Sequence, residues 1–300
     1  MKKFLGRFFF SFLPILAFLV IIELLVRDAQ NDYKYKWSYL NGNAKDLEVL
    51  VLGNSQSFYG IDCNSLSARS FNMAMEGQGL LIDDYILEHF GSALVDLRAV
   101  VLPISYLSLT QPAAFGAPGR ITQYHLYYGY ESKWFSTENY ECLSPLSCRE
   151  KIKFLISGNS LRQVDSLGCC SKPTGTFRND ADETLSWTTG GTEKIIDFNK
   201  AALTHISGQC EKKGIKLILI SFPTDASYRS SCYYDSSQME RVKGFAAMLS
   251  NNSKSTIWID WSESDEFDHS DFFDSSHLNS QGASKLSTMV NTTLKEIGVL

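Results

Sequence analysis

Three short apolar runs, over residues 47–52, 97–102 and 215–220, constrain this chain more than any other feature. Each has the length of a strand, and none alternates polar with apolar positions. Such runs belong in a sheet that is covered on both faces. Apolar residues at helical spacing fill the intervals. They run over about residues 80–90 before the second strand, and through Ile195, Ile196, Leu203 and Ile206 to about Lys213 before the third. Residues 70–75 and 256–260 add two shorter strands, residues 237–249 a further helix, and a last helix begins near Ser280. Strand, helix and strand at this spacing build a parallel sheet. The expected fold is α/β: a three-layer α/β/α sandwich, doubly wound, with about five parallel strands.

The first residues predict a membrane anchor. Lys2, Lys3 and Arg7 precede an apolar stretch from Phe8 to Val26, broken only by Ser11, Pro14 and Glu23. At about 1.5 Å per residue this stretch comes close to spanning a hydrocarbon core. It exceeds the core of a typical signal peptide, and no small-x-small cleavage site follows Val26. Residues 1–27 therefore read as an uncleaved signal anchor. The preceding positive charges keep the N-terminus cytoplasmic and send the remainder to the extracytoplasmic side. Residues 28–46 read as a stalk and residues 47–300 as the exported domain.

Composition narrows the function. At 20% charged and 44% hydrophobic residues, the 300-residue chain can build a sizeable core. A net charge of -5 and the lack of a basic stripe beyond residue 7 speak against nucleic acid as a partner. Seven cysteines fit an oxidising compartment, but none has zinc-like Cys-x-x-Cys spacing. Cys142 with Cys148, and one of the adjacent Cys169 and Cys170, are either disulfide partners or buried thiols. No cofactor and no metal are expected. Between about residues 105 and 191 the pattern dissolves, apart from a short helix around 149–156, which marks an insertion into the domain. Its aromatic residues Tyr124, Tyr127, Tyr128, Tyr130, Trp134 and Phe135 either stack on sugars or pack the insertion itself.

Two motifs carry the chemistry. The first apolar run stops at Gly53-Asn54-Ser55, which would lift the Ser55 hydroxyl out at the C-terminal edge of the sheet, where open α/β sheets place ligands. Taken alone, it is equally an ordinary turn with a helix cap. The second motif, Asp274-Ser275-Ser276-His277, lies between the last strand and the last helix. A carboxylate three residues before an imidazole can hold one ring nitrogen and leave the other as a base. A serine alcohol needs such a base to become a nucleophile. Of the five histidines, His277 alone has so suitably placed a carboxylate in the sequence, and both motifs emerge at the same sheet edge. Ser57 is a fallback nucleophile, expected inside the following helix. A phosphate-binding reading of Gly53–Ser55 lacks the further glycines and the lysine of a P-loop.

The order and spacing of these motifs resemble the SGNH (GDSL-type) hydrolase superfamily. Gly53-Asn54-Ser55 matches its nucleophile block, with Asn54 where the family has Asp. Residues 72–77 (Asn-Met-Ala-Met-Glu-Gly) resemble its second block, and Asp274 to Asn279 with Gly282-Ala283 match its last. The resemblance covers roughly residues 47–298 apart from the insertion. It implies Ser55 as nucleophile, His277 as base, Asp274 as its orienting carboxylate, and the amides of Ser55 and Gly77 as an oxyanion hole. The family's third block, Gly-x-Asn-Asp, is replaced by Pro103-Ile104-Ser105-Tyr106, which leaves Ser105 as a substitute donor. Losing such a donor costs about 2.7–4 kcal/mol of transition-state stabilisation. One anchor plus an exported domain is similar to SGNH-like proteins that acylate envelope polymers, such as those of alginate O-acetylation and teichoic-acid D-alanylation. The layout implies an envelope glycan as substrate and a membrane-bound acyltransferase as a partner, with esterase, O-acyltransferase or purely binding roles as the alternatives.

Overall fold

A computed structural model describes residues 2–117, 119–131, 139–143, 145–158, 161–186 and 191–300. The chain forms two compact units, Tyr39–Gly116 with Val164–Leu300, and Met1–Ser38 with Ala117–Gln163.

The larger unit holds a five-stranded parallel sheet: β1 (Val49–Val51), β2 (Ser70–Asn72), β3 (Ala99–Pro103), β4 (Lys216–Ser221) and β5 (Thr256–Asp260), in the order β2-β1-β3-β4-β5. Pairing runs Val49 with Ser70 and Ala99, Ala99 with Lys216, and Leu217 with Thr256. Every residue of β1, β2 and β3 is buried, as a sheet covered on both faces demands. In β4 all but Lys216 is buried, and β5, at an edge, is partly exposed. Helices α3 (Ser55–Gly60) and α11 (Ser280–Glu296) cover one face. There Val49, Val51, Val101 and Ile220 pack against Leu286, Val290 and Leu294. On the other side α8 (Glu193–Lys213) packs on α4 (Leu80–Phe90), and α10 (Ser236–Asn252) packs on β5; the short helices α7 (Ala181–Ser186) and α9 (Ala226–Arg229) pack on each other. The doubly wound α/β/α expectation holds.

Two strands are shorter than the apolar pattern predicts, for local reasons. Gly53 ends β1 with φ at +107°. Its Cβ would stand 2.2 Å from Cδ of Pro103, so only glycine lets β1 turn against the end of β3. Asn72 ends β2: its Oδ1 takes the amide of Ala74, while its Nδ2 donates to the carbonyls of Ser57 and Ile61. The chain beyond Asn72 stays attached to β1, because the amides of Met73 and Met75 donate to the carbonyls of Val51 and Gly53.

The smaller unit contains α1 (Lys2–Asp28), the first part of α2 (Asp32–Asn43), α5 (Arg120–Gln123) and α6 (Pro145–Ser157). Over residues 10–28 α1 is long and apolar enough to cross a membrane, with a mean hydropathy of 2.3 and its side chains facing outward. Tyr124, Tyr128 and Tyr130 are buried, so these three are packing residues and not sugar platforms. Tyr33, Tyr124 and Tyr128 meet edge to face, and Trp37 stacks on Tyr128. Tyr127 is half-buried and donates to Glu141, which pairs with buried Lys151; Trp134 and Phe135 lie outside the described residues. All seven cysteines are free thiols. Burial and the Glu23 carboxylate push the Cys142 thiol up to about 12.

Candidate active site

The sheet changes winding direction between β1 and β3, since β2 lies to one side of β1 and every later strand to the other. The crevice outside the carboxyl ends of the strands at such a switch point is where this architecture binds ligands. Ser55 stands there, three residues past Leu52. Both readings of its turn are correct together. Asn54 caps α3, its Oδ1 accepting the amide of Gln56, and Ser55 is the first residue of the helix. The first amides of a helix have no carbonyl partner within it, so the Ser55 N–H is not consumed by the helix ladder. Ser57 is fully buried inside α3, which removes it as an alternative nucleophile.

The second motif comes to the same edge from the far end of the chain. The amides of Ser276 and His277 donate to Asp274 Oδ1 at 3.1 and 2.9 Å, which folds residues 274–277 into a tight turn. The amide of Phe273 donates to the carbonyl of His277 at 2.9 Å and closes it. In that turn His277 Nδ1 lies 2.8 and 3.0 Å from the two carboxylate oxygens of Asp274. His277 Nε2 lies 2.7 Å from Ser55 Oγ. Asp274 is almost fully buried, and His277 keeps 20% of its side chain exposed. Burial works to raise the Asp274 carboxyl, but the bond and charge of His277 and the two turn amides outweigh it and hold the group below its ordinary value. Asp274 is thus an anion that fixes the ring with Nδ1 toward itself and Nε2 toward the serine.

The turn is braced from behind. Ser275 is fully buried and gives both its amide and its hydroxyl to Asp180 Oδ1, at 3.3 and 2.6 Å. Asn279 caps α11 through the amides of Gln281 and Gly282, and its Nδ2 donates to the carbonyl of Phe272. A Cβ on Gly282 would stand 2.3 Å from the Asp271 carbonyl, so this close approach accounts for the glycine.

The remaining expected residues stand as follows. Gly77 has φ at +65° on the loop after β2, and its carbonyl accepts the amide of Phe115. Ser105 is buried after β3, with its Oγ 3.2 Å from Asn54 Nδ2 and 3.2 Å from Ser108 Oγ. The hydroxyl therefore meets the residue before Ser55 and is already engaged.

Three features are not apparent from the motifs. His205 and His269 also carry carboxylates, Asp84 and Asp225, each at 2.8 Å from Nδ1. His277 is therefore not unique in space, because those partners are far away in sequence. Lys172 places its ammonium over the faces of Tyr59 (4.0 Å) and Phe273 (5.1 Å), and Tyr59 meets the His277 ring edge-on. Finally, Asp83 is a buried acid on α4. Its signal in the sequence is its place on the apolar stripe of Leu80, Leu87 and Phe90.

No family profile matches this sequence, and no curated protein is similar to it at a significant level. Among solved structures the chain is similar to a GDSL-like lipase from Bacteroides thetaiotaomicron VPI-5482. The two share 10% identity at a TM-score of 0.43, over 89% of this chain and 100% of that one. A likeness at that level carries no weight for the chemistry, which rests on the residues themselves. Fold and site together define a doubly wound α/β domain with a hydrogen-bonded Ser–His–Asp triad at its topological switch point.

Proposed function

We propose that this protein is a membrane-anchored, exported serine esterase or O-acyltransferase of the SGNH type. It acts on acyl esters, acetyl above all, of a cell-envelope polysaccharide. The observation that carries the reading is the unbroken chain from Ser55 Oγ through His277 to Asp274, at 2.7 and 2.8 Å. In the first step Ser55 Oγ bonds to the ester carbonyl carbon while its proton passes to His277 Nε2. The amides of Ser55 and Gly77 stabilise the oxyanion, and Asp274 stabilises the imidazolium. The ester C–O bond then breaks, and His277 returns the proton to the departing alcohol. Water releases the acid from the acyl-serine in an esterase, and a sugar hydroxyl takes the acyl group in a transferase. The apolar helix over residues 10–28 supports anchoring, with Lys2, Lys3 and Arg7 on the cytoplasmic side.

One observation favours a second reading, a non-catalytic envelope protein that binds glycan or a membrane acyltransferase. The place of the family's side-chain oxyanion donor is held by Ser105, whose hydroxyl is occupied by Asn54 and Ser108. A fluorophosphonate probe on the purified full chain in detergent separates the two. The enzyme reading expects covalent labelling at Ser55 that disappears in Ser55→Ala and His277→Ala. A folded protein without labelling at Ser55 leaves the binding reading. Acetylated sugar donors with and without an acceptor glycan then divide hydrolysis from transfer.

A further inference from the structure

A single carboxylate oxygen ties together the two segments that the proposed reaction requires to be aligned. Asp83 Oδ1 accepts the amide of Gly53 at 2.8 Å and Gln78 Nε2 at 2.6 Å. Gly53 lies two residues before Ser55, and Gln78 is the neighbour of Gly77. Asp83 and Gln78 are almost completely buried. We propose that Asp83 is a positioning residue, which holds the nucleophile turn and the Gly77 loop at the spacing needed to seat an oxyanion between the Ser55 and Gly77 amides. This inference rests on the acyl-serine reading above and adds a determinant of its rate.

The rest of the neighbourhood explains why so costly a residue is placed here. On one side, Pro103 abuts Gly53, so the turn cannot shift toward β3. On the other, a Cβ on Gly79 would stand 2.4 Å from the Pro112 carbonyl, and the amides of Gly79 and Phe115 bond across to Ala113 and Gly77. Between these walls a backbone bond from Met75 to Gly53 and the carboxylate of Asp83 both join the turn to the loop. A charged acceptor makes stronger bonds than a neutral one, so the clamp is tight when Asp83 is ionised and weaker when it is protonated. Burial pushes the carboxyl up to about 7, against the lowering effect of Gln78 and the Gly53 amide, so the exchange falls near neutrality. The adjacent Asp84 raises it further, and is itself paired with His205 of α8. Glu76, on the loop, is bonded to the Tyr59 hydroxyl, and the segment over residues 103–115 brings only Tyr106 among ionisable groups.

The test uses the full chain in detergent and two readouts. The rate of fluorophosphonate labelling at Ser55 is followed from about pH 6 to about pH 8.5 in the wild type, Asp83→Asn and Gln78→Met. Hydrogen exchange of the peptides covering residues 53–55 and 75–79, corrected for the intrinsic rate, is followed over the same range. The wild type should lose labelling rate toward acid more steeply than Asp83→Asn does, and lose protection in both peptides together. Asp83→Asn should label about tenfold more slowly at the alkaline end, with a shallower pH dependence than wild type and low protection at every pH. Gln78→Met, which removes one of the two donors, should fall between, and carries the test alone if Asp83→Asn does not fold. Unchanged labelling and unchanged exchange in both variants would overturn the role of Asp83. Absence of labelling in the wild type with the pH-dependent exchange intact would overturn the acyl-serine reading and leave the clamp standing. Absence of both would overturn both.

Discussion

His277 and His269 lie eight residues apart, and each holds an aspartate carboxylate 2.8 Å from Nδ1. In both pairs burial raises the acid while hydroxyl, amide or imidazole donors bring it back below its ordinary value. Electrostatically the two are near copies. They differ in what faces the other ring nitrogen. His277 Nε2 is 2.7 Å from a serine hydroxyl, whereas His269 has no hydroxyl partner there among the described residues, and its side chain is 65% exposed. A cavity of about 370 Å³, lined by Asp225, Arg229, Glu263, Asp268 and His269 among others, lies at the Asp225–His269 pair. A histidine–carboxylate pair thus recurs as a way of orienting a ring, and in the proposed reaction it is the third group, placed by the sheet, that gives the ring a nucleophile to activate.

Several experiments would break or sharpen that contrast. The largest effect belongs to Ser55→Ala and His277→Ala, each expected to lower esterase turnover by about 10⁴-fold or more. His269→Ala should stay within about twofold of wild type, and a comparable loss in that variant would erase the distinction between the pairs. Next, Asp274→Asn keeps the shape of the turn but removes the charge that fixes the ring, so turnover should drop by about 10³–10⁴-fold. A drop of tenfold or less would mean that the turn amides orient His277 without it.

Asp83 extends the contrast from activity to stability. Its folded value, about 7, lies above the ordinary 3.8, so the folded chain retains a proton that the unfolded chain has released. Stability therefore falls as pH rises from about 4 to about 7, by up to about 4 kcal/mol, and levels off above. Asp83→Asn should abolish this decline and melt at the same temperature as wild type or higher near pH 8, while reacting more slowly. Denaturant titrations at several pH values check it; a parallel decline in the variant would assign the effect to another group. The smallest effect is expected for Ser105→Ala, at about threefold or less in turnover, because its hydroxyl is bonded to Asn54 and Ser108. A loss approaching 10²-fold would instead make Ser105 an oxyanion donor.

Much of the arrangement was legible beforehand, for reasons particular residues make plain. Asp274 and His277 belong to one turn, so their contact follows from three-residue spacing, and Gly53 followed by Ser55 after a buried run already marks an edge of the sheet. Asp225 with His269, Asp84 with His205, and Asp180 behind Ser275 bridge 44, 121 and 95 residues, and no local pattern announces them. The aromatic residues of the insertion were ambiguous for the opposite reason. Tyrosine suits both an exposed platform and a packed interior, and the burial of Tyr124, Tyr128 and Tyr130 decided between them. Asp83 could have been suspected from its place on the apolar stripe of α4, but its two donors come from other segments.

The sequence by itself determined the class of fold, because unbroken apolar runs separated by amphipathic helices have few ways to bury themselves other than a parallel sheet covered on both faces. It also determined the internal geometry of each half-site, since a turn and a cap are set by neighbouring residues. Tertiary structure alone decided that Ser55 and His277, 222 residues apart, meet at 2.7 Å, that His269 meets no serine hydroxyl among the described residues, and that one buried carboxylate joins Gly53 to Gln78. Those contacts depend on the order in which β1, β3, β4 and β5 lie side by side, and that order is a property of the whole packed core.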